Sequence, residues 1–286
     1  MNKLRNVNVS NINWKNGNLI HCVFTALTLI CVLLDVQSAF ALSAKEIMIK
    51  NEDARKIQDV TSKAVLTTGG GKSKERVKEF TWWRKLQKDN IRFNTLTRFH
   101  FPPEVRGEGI LFLEHENDQT DVQIYLPNFK KIRRVESQQQ SGSFMGSEFS
   151  YSDIATPHVD DYTYKMLKEE DCPEATSIRC AVIETVLIAD KVKERTGASR
   201  IVSWIRMDNY MSAKSEYFDL AGLLWKKMSA SEIKEVDIKL HKWMTHHIKM
   251  ENVKNNRYTI LHFSQAKVNV GISDSIFTPQ NLARDK

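Results

Sequence analysis

The sequence predicts a mainly β protein of the α+β class, built from antiparallel hairpins. Apolar and polar residues alternate along many short stretches, and alternation over about 4–8 residues is typical of a half-buried strand. The clearest stretch is IRFNTLTRFHF, residues 91–101. Turn signals rich in Gly, Pro, Asn and Asp separate the stretches. Few segments carry a helical period, so we expect at least ten strands and only two short helical pieces.

The first 41 residues have the pattern of a secretory signal peptide. A positively charged start precedes an apolar stretch, residues 19–34, and Ala39 and Ala41 give a small-x-small cleavage site. An uncleaved anchor helix is the alternative, but the apolar stretch is shorter than the about 20 residues that span a bilayer. We therefore expect export, cleavage after Ala41, and a single domain over residues 42–286.

Charge and motifs exclude several classes of function. The chain has 42 Lys and Arg against 35 Asp and Glu, a net charge of +7, which favours solubility and weak attraction to anionic surfaces. No nucleic-acid-binding motif accompanies this charge. The segment GSFMGS does not match the nucleophile elbow G-x-S-x-G. His246 and His247 would point to opposite faces of a strand, with no cysteine or carboxylate cluster beside them. We therefore expect no nucleic-acid partner, no enzyme activity, no catalytic residues, no cofactor and no metal.

The clearest helix is predicted over residues 43–58. Ser43 can cap its start, and Glu46, three residues later, completes a capping box. Apolar residues from Ile47 to Ile57 recur at roughly the helical spacing. This segment therefore predicts an N-terminal helix that packs one face against the sheet.

Strand patterns dominate the rest of the chain. They predict strands near residues 60–68, 73–87, 91–101, 109–116, 120–126, 160–167, 177–188, 199–207, 210–218, 242–250 and 256–270. A turn around Asn117 and Asp118 joins two of them. The last strand is apolar on both faces near Ile260, so we expect a helix or another element to cover its outer face. Ile276 and Phe277 predict a clasp at the C-terminal end.

Cys172 and Cys180 are the cysteines that remain after cleavage, and they flank a predicted hairpin turn. An exported chain meets an oxidising compartment, which favours a disulfide over a redox pair or a metal site. Two free thiols are the alternative.

A long irregular stretch follows the strand that Pro127 ends. It begins with the basic cluster, which consists of Lys130, Lys131, Arg133 and Arg134. A Gln, Ser and Gly run comes next, and then residues 142–154, GSFMGSEFSYSDI, which carry five large apolar side chains. Because a loop of this length is usually functional or disordered, and five apolar groups need a surface to cover, we predict a lid over an apolar interior.

The same stretch carries a resemblance to a known family. The segments YLPNFKKIRR and GSFMGSEFSYSD, together with RFHFPPEVRGEGILFL and DSIFTPQNL, resemble the periplasmic outer-membrane lipoprotein-sorting proteins, relatives of the LolA and LolB lipoprotein carriers. The resemblance covers most of the chain after residue 41. It implies a periplasmic protein with a curved antiparallel sheet, or open β-barrel, around a hydrophobic cavity closed by helices and loops.

The large aromatic side chains support a binding function. Ordinary core packing explains any one of them, but two short helices are too few to cover the apolar face of so large a sheet. We therefore predict a carrier that moves a lipid, the acyl chains of a lipoprotein or another hydrophobic ligand between the inner and outer membranes. The predicted hydrophobic contacts are Trp82, Phe93, Phe99, Leu111, Leu113, Phe144, Met145 and Phe149.

Two points stay open at the level of sequence. The basic cluster either holds an anionic head group or membrane surface, or only keeps an exposed loop soluble. The alternative to a carrier is a non-enzymatic accessory module that docks its apolar face onto an inner-membrane (RND-type) transporter.

Overall fold

Thirteen antiparallel strands form one sheet in this computed structural model, which describes residues 42–116, 119–156, 159–173 and 175–284. The strands are β1 Asp59–Gly70, β2 Ser73–Leu86, β3 Phe93–Phe101, β4 Gly109–Glu114, β5 Thr120–Leu126, β6 Lys131–Val135, β7 Tyr162–Cys172, β8 Ala175–Leu187, β9 Ala198–Arg206, β10 Ser212–Asp219, β11 Leu224–Asp237, β12 Lys242–Asn252 and β13 Arg257–Val268. The predicted fold class is confirmed. The predicted signal peptide and the turn at Asn117 and Asp118 lie outside the described residues.

The sheet is two meanders joined at their ends. Strands β1 to β6 follow one another in space, as do β7 to β13, and β1 pairs with β13 to join the two runs. The sheet curves but does not close. Strands β6 and β7 are therefore its two edges, although they are consecutive in the chain. Every neighbouring pair is antiparallel, as hairpin connections require.

The helices of the described residues are short, but there are four of them where the sequence predicted two helical pieces. They are α1 Ala44–Ala54, α2 Tyr151–Ile154, α3 Asp190–Thr196 and α4 Pro279–Leu282. Single 3-10 turns lie at Pro103–Val105, Pro127–Phe129, Ser137–Gln139, Phe144–Gly146, Val159–Asp161 and Asp274–Ile276. The capping box of Ser43 and Glu46 forms at the start of α1, which ends four residues earlier than the predicted limit.

Strand β3 differs from its prediction at both ends. Ile91 lies before the strand and is 44% exposed, and Phe101, beside a register shift opposite Glu79 and Phe80, is also 44% exposed. The alternating sequence predicts that both side chains share the face of Phe93 and Phe99, but Ile91 lies outside the strand and the register shift interrupts the alternation before Phe101. Phe93 and Phe99 are buried as predicted.

A C-terminal segment covers the outer face of β3, β4 and β5. Phe277 and Leu282 are buried in one cluster with Leu96, Leu111 and Tyr125. The predicted clasp is confirmed. The predicted cover over the last strand is wrong, because Ile260 and its outward neighbours stay partly exposed while the C-terminal segment covers other strands.

Two smaller features complete the architecture. Cys172 and Cys180 form the predicted disulfide at the β7–β8 turn, with Cα atoms 5.0 Å apart. In the part of the chain that the structure describes, no helix has both the length and the apolar character to cross a membrane.

Candidate functional site: the covered interior of the sheet

The connection between the two edge strands builds the candidate site. Val135 ends β6 at one edge and Tyr162 begins β7 at the other, so residues 136–161 must run from edge to edge. We call this segment the crossover loop. We call the face of the sheet against which it packs the inner face. The described residues of the loop, 136–156 and 159–161, are irregular apart from short turns and α2, and they cover the inner face without a second sheet.

Phe144 anchors the crossover loop at the centre of the inner face. Its side chain is fully buried, and its ring centroid lies 6.5 Å from that of Phe80, 6.3 Å from that of Phe99 and 6.4 Å from that of Phe112. Tyr151 packs edge-on to Phe144 at 5.9 Å. The loop therefore covers the apolar interior, as the sequence predicts. It is more than a surface lid, because its aromatic rings are part of the core.

The structure places most of the predicted hydrophobic contacts on the inner face. Those in its main cluster or packed against it are Trp82, Phe99, Phe144, Met145 and Phe149. Phe93 shares the inner side of β3 but lies under the guanidinium of Arg84, 3.9 Å from its ring centroid. These six residues surround one interior.

Leu111 and Leu113 do not join them. Both belong to the outer cluster with Phe277. Their neighbour Phe112 faces inward instead. The prediction chose the wrong residues in the continuous apolar run of β4, because both faces of this strand are covered.

Polar contacts attach the crossover loop to the far side of the sheet. Glu148 is almost buried, its amide donates to Thr259 Oγ1 at 2.9 Å, and its carboxylate lies 3.1 Å from Arg257 Nε. Further along, the Asp153 carboxylate lies 3.6 Å from Lys226 Nζ, which is itself buried. These contacts hold the loop across strands β11 and β13 as well as β2 to β4.

The basic cluster lies at the edge of the sheet. The sequence suggested a loop, but Lys131, Arg133 and Arg134 belong to the edge strand β6, while Lys130 precedes it with a left-handed φ of 49°. All four side chains are exposed, and Arg134 pairs with Asp121. Arg133 is on the same side of β6 as the buried Val135 and acts electrostatically on Tyr151 of the crossover loop, so this residue of the cluster borders the interior.

Sequence reasoning missed a group of polar side chains in the interior. Arg84 follows Phe80 and Trp82 on the inner side of β2, and its Nη2 donates to Thr156 Oγ1 of the crossover loop at 2.5 Å. Burial lowers the pKa of Arg84 to about 10. Burial also lowers the pKa of Arg55, just after α1, and raises the pKa of Tyr217. The alternating pattern of β2 was the signal, because it puts a charge where an apolar residue is expected.

The interior offers no sign of metal chemistry. Among the residues that the structure describes, no three His, Cys, Asp or Glu side chains are grouped so that they could hold an ion. His246 bonds the Glu232 carbonyl, and His247 lies on the other side of β12 beside Ser231.

Comparisons with known proteins agree on the fold. A family model described as that of an uncharacterised protein matches residues 92–284. A crystal structure of a DUF1329 family protein from Desulfovibrio piger is 26% identical, with a TM-score of 0.76, and the match covers 84% of this chain and 97% of that one. No curated protein matches the sequence.

Two further solved structures share the architecture. A putative outer membrane lipoprotein-sorting protein domain from Vibrio parahaemolyticus is 23% identical with a TM-score of 0.77, covering 84% of this chain and 98% of that one. A LolA superfamily protein from Nitrosomonas europaea is 20% identical with a TM-score of 0.65, covering 84% of this chain and all of the other. At these identities the likeness shows the fold alone.

Proposed function

Because the chain belongs to the DUF1329 family of uncharacterised proteins and has a LolA-like sheet, we propose that it is a non-enzymatic carrier of a hydrophobic ligand in the periplasm. The ligand is a lipid or the acyl chains of a lipoprotein, and it moves between the inner and outer membranes. The solved relative from Vibrio parahaemolyticus, a putative lipoprotein-sorting domain, supports this choice of cargo. The charged and apolar pattern of residues 1–41 supports export.

One observation carries the proposal. The apolar inner face is covered by an irregular loop, and the loop's Phe144 occupies its centre. Loops with few regular hydrogen bonds open at lower free-energy cost than strands or helices of the core. The crossover loop therefore acts as an internal substitute for the ligand: its rings protect the inner face when no ligand is bound and move aside when acyl chains enter.

Energetics permit the exchange. Burial of acyl chains contributes about 0.8 kcal/mol per CH₂. A chain of about a dozen carbons thus yields on the order of 10 kcal/mol before the cost of association, which is about 4–15 kcal/mol. Displacing the loop adds to that cost, so two chains, or one chain with a further polar contact, are needed for tight binding.

A locked loop tests the proposal. The Glu148 amide donates to Thr259 Oγ1 at 2.9 Å, so the loop and β13 are in direct contact here. The Glu148→Cys/Thr259→Cys pair is designed to join them by a disulfide. Oxidised, this variant should no longer take up a fluorescent fatty acid, whereas the reduced variant and both single-cysteine variants should. Wild-type protein under the same reductant controls for loss of the native disulfide.

The cargo itself is accessible to direct measurement. Mass spectrometry of organic extracts from protein purified out of its own periplasm should find a lipid in stoichiometric amount. Absence of lipid, together with no uptake of the fatty acid by the wild type, would refute the carrier function. A stable complex with an inner-membrane transporter and no lipid would instead identify an accessory module.

A further inference from the structure

Two guanidinium groups reach the interior without a carboxylate partner. In the described residues, no Asp or Glu oxygen lies within 4.0 Å of Arg55 or Arg84. Two other cations beside the crossover loop do have such partners: Lys226 has Asp153 at 3.6 Å, and Arg257 has Glu148 at 3.1 Å. Lys78 donates instead to the Met145 carbonyl at 2.9 Å.

The carboxylates that influence these two arginines bind other groups. Glu52 influences Arg55 electrostatically, but its Oε1 is bonded to Lys56 Nζ at 2.8 Å. Glu114 influences Arg84, yet its two oxygens accept the amides of Thr156 and Phe93, each at 2.8 Å. Neither carboxylate forms an ion pair with Arg55 or Arg84 in this arrangement.

Buried polar atoms beside these arginines also lack partners. Arg84 Nε is buried and makes no hydrogen bond, and the same is true of Ser62 Oγ on the adjacent strand β1. Across β1 and β2, Ser62 pairs with Trp82 and Val60 pairs with Arg84. Ser62 and Arg84 are therefore diagonal neighbours on the inner face, and each carries one buried atom that makes no hydrogen bond. Buried polar atoms are almost always hydrogen-bonded, and each exception calls for an explanation.

The surroundings of these atoms are apolar. Trp82 is buried and packs edge-on against Phe263 with ring centroids 5.5 Å apart. Met228, Met244 and Ile248 line the same cluster but remain partly exposed. A cationic and hydroxyl-bearing patch thus adjoins an apolar surface that is not fully covered.

We propose that the ligand is an anionic amphiphile, whose head group is bound by Arg55, Arg84 and Ser62 while its acyl chain lies along the inner face. This inference rests on the proposed carrier function and deepens it by naming the class of ligand. A carboxylate or a phosphate supplies the acceptor oxygens that the two guanidinium groups and the hydroxyl can bind. It also neutralises positive charge that burial otherwise disfavours.

The proposal assigns distinct roles to two sets of basic residues. Arg55 and Arg84 bind the head group inside the protein. The basic cluster on β6 is exposed at the sheet edge and takes no part in this contact. Arg134 is therefore a matched control, because it lies on the outer side of β6 beside Asp121 and its removal changes the net charge by the same amount.

A pair of probes that differ by one charge tests the inference. The probes are 11-(dansylamino)undecanoic acid and its methyl ester, titrated against the wild type and the variants Arg84→Gln, Arg55→Gln and Arg134→Gln. The wild type and Arg134→Gln should bind the acid at least tenfold more tightly than the ester. In Arg84→Gln and Arg55→Gln this preference should fall below about threefold while the affinity for the ester stays the same.

Competition by palmitate and by 1-palmitoyl lysophosphatidate then distinguishes a carboxylate from a phosphate head group. Urea unfolding of each variant establishes that it is folded, and Arg55→Gln provides a second route because Arg84 also packs on Phe93. Equal affinity of the wild type for acid and ester would overturn the head-group site and leave the carrier function standing. Binding of neither probe would overturn both.

Discussion

The rings of Phe99 in β3 and Phe144 in the crossover loop pack against each other with centroids 6.3 Å apart. Sequence patterns suggested that one would line a cavity and the other would close it. In the structure they touch, and both are fully buried. The loop is therefore part of the core in this structure, and the proposed carrier function requires that this contact break when a ligand enters.

Replacing Phe144 with Ala should destabilise the protein. The side chain is fully buried among three other phenylalanine rings, and Phe-to-Ala changes at such positions cost about 3–5 kcal/mol. Urea unfolding measures the difference. Phe129→Ala is the matched control, since Phe129 is 70% exposed and should change stability by less than about 0.5 kcal/mol. Equal effects of the two changes would contradict the position of Phe144 in the core.

The contact between Asp153 and Lys226 should couple the crossover loop to β11. The two charged groups are 3.6 Å apart, and their side chains are only 17% and 6% exposed. Removing one partner leaves the other charge partly buried and unpaired, so Asp153→Asn and Lys226→Met should each destabilise the protein, and the double variant should lose less stability than the sum of the two. A double-mutant cycle on unfolding free energies should give a coupling of about 0.5–3 kcal/mol. Strict additivity would mean that the pair does not hold the loop.

Stability should depend on pH through Glu46. Hydrogen bonds from Ser43, first from its side chain and then from its backbone, lower the pKa of Glu46 below its usual 4.5. A carboxyl group with a lowered folded-state pKa stabilises above the unfolded pKa, and this contribution disappears as pH falls through the folded pKa. The wild type should therefore exceed Glu46→Gln in unfolding free energy at neutral pH, and the difference should shrink below about pH 4.5. A difference independent of pH would exclude the capping charge as its cause.

The basic cluster should attract anionic membranes. Its four side chains are exposed on the edge strand, next to the exposed Phe129. Replacing all four with Gln should weaken sedimentation with anionic vesicles at low salt, and the loss should diminish at high salt because exposed charges are screened within about 8–10 Å. The control replaces four other exposed lysines with Gln: Lys88, Lys191, Lys239 and Lys267. The same loss in both variants would show that only net charge matters.

Local patterns account for much of what the sequence predicted. Ser43 and Glu46 form their capping box from residues three apart, and alternation along β3 buries Phe93 and Phe99 on one side. The disulfide of Cys172 and Cys180 spans a single hairpin turn. Each of these features depends on neighbours in the chain, so the sequence alone was sufficient to predict it.

Features that depend on distant contacts were decided by the tertiary structure. The run from Ile110 to Leu113 is apolar at every position, so its pattern does not reveal which side chains face inward; the C-terminal segment settles this by covering Leu111 from outside. Phe144 is buried in the interior because β1 pairs with β13. That pairing leaves β6 and β7 as the two edges of the sheet, so the loop between them must cross the inner face. Arg84 is charged and thus expected at a surface, yet it faces inward because β2 keeps its alternation through that position. The sequence by itself determined which segments form strands and helices, because these follow from local periodicity. Which side chains are buried, and which residues contact each other across the sheet, was decided only by the tertiary structure, because these contacts join residues far apart in sequence.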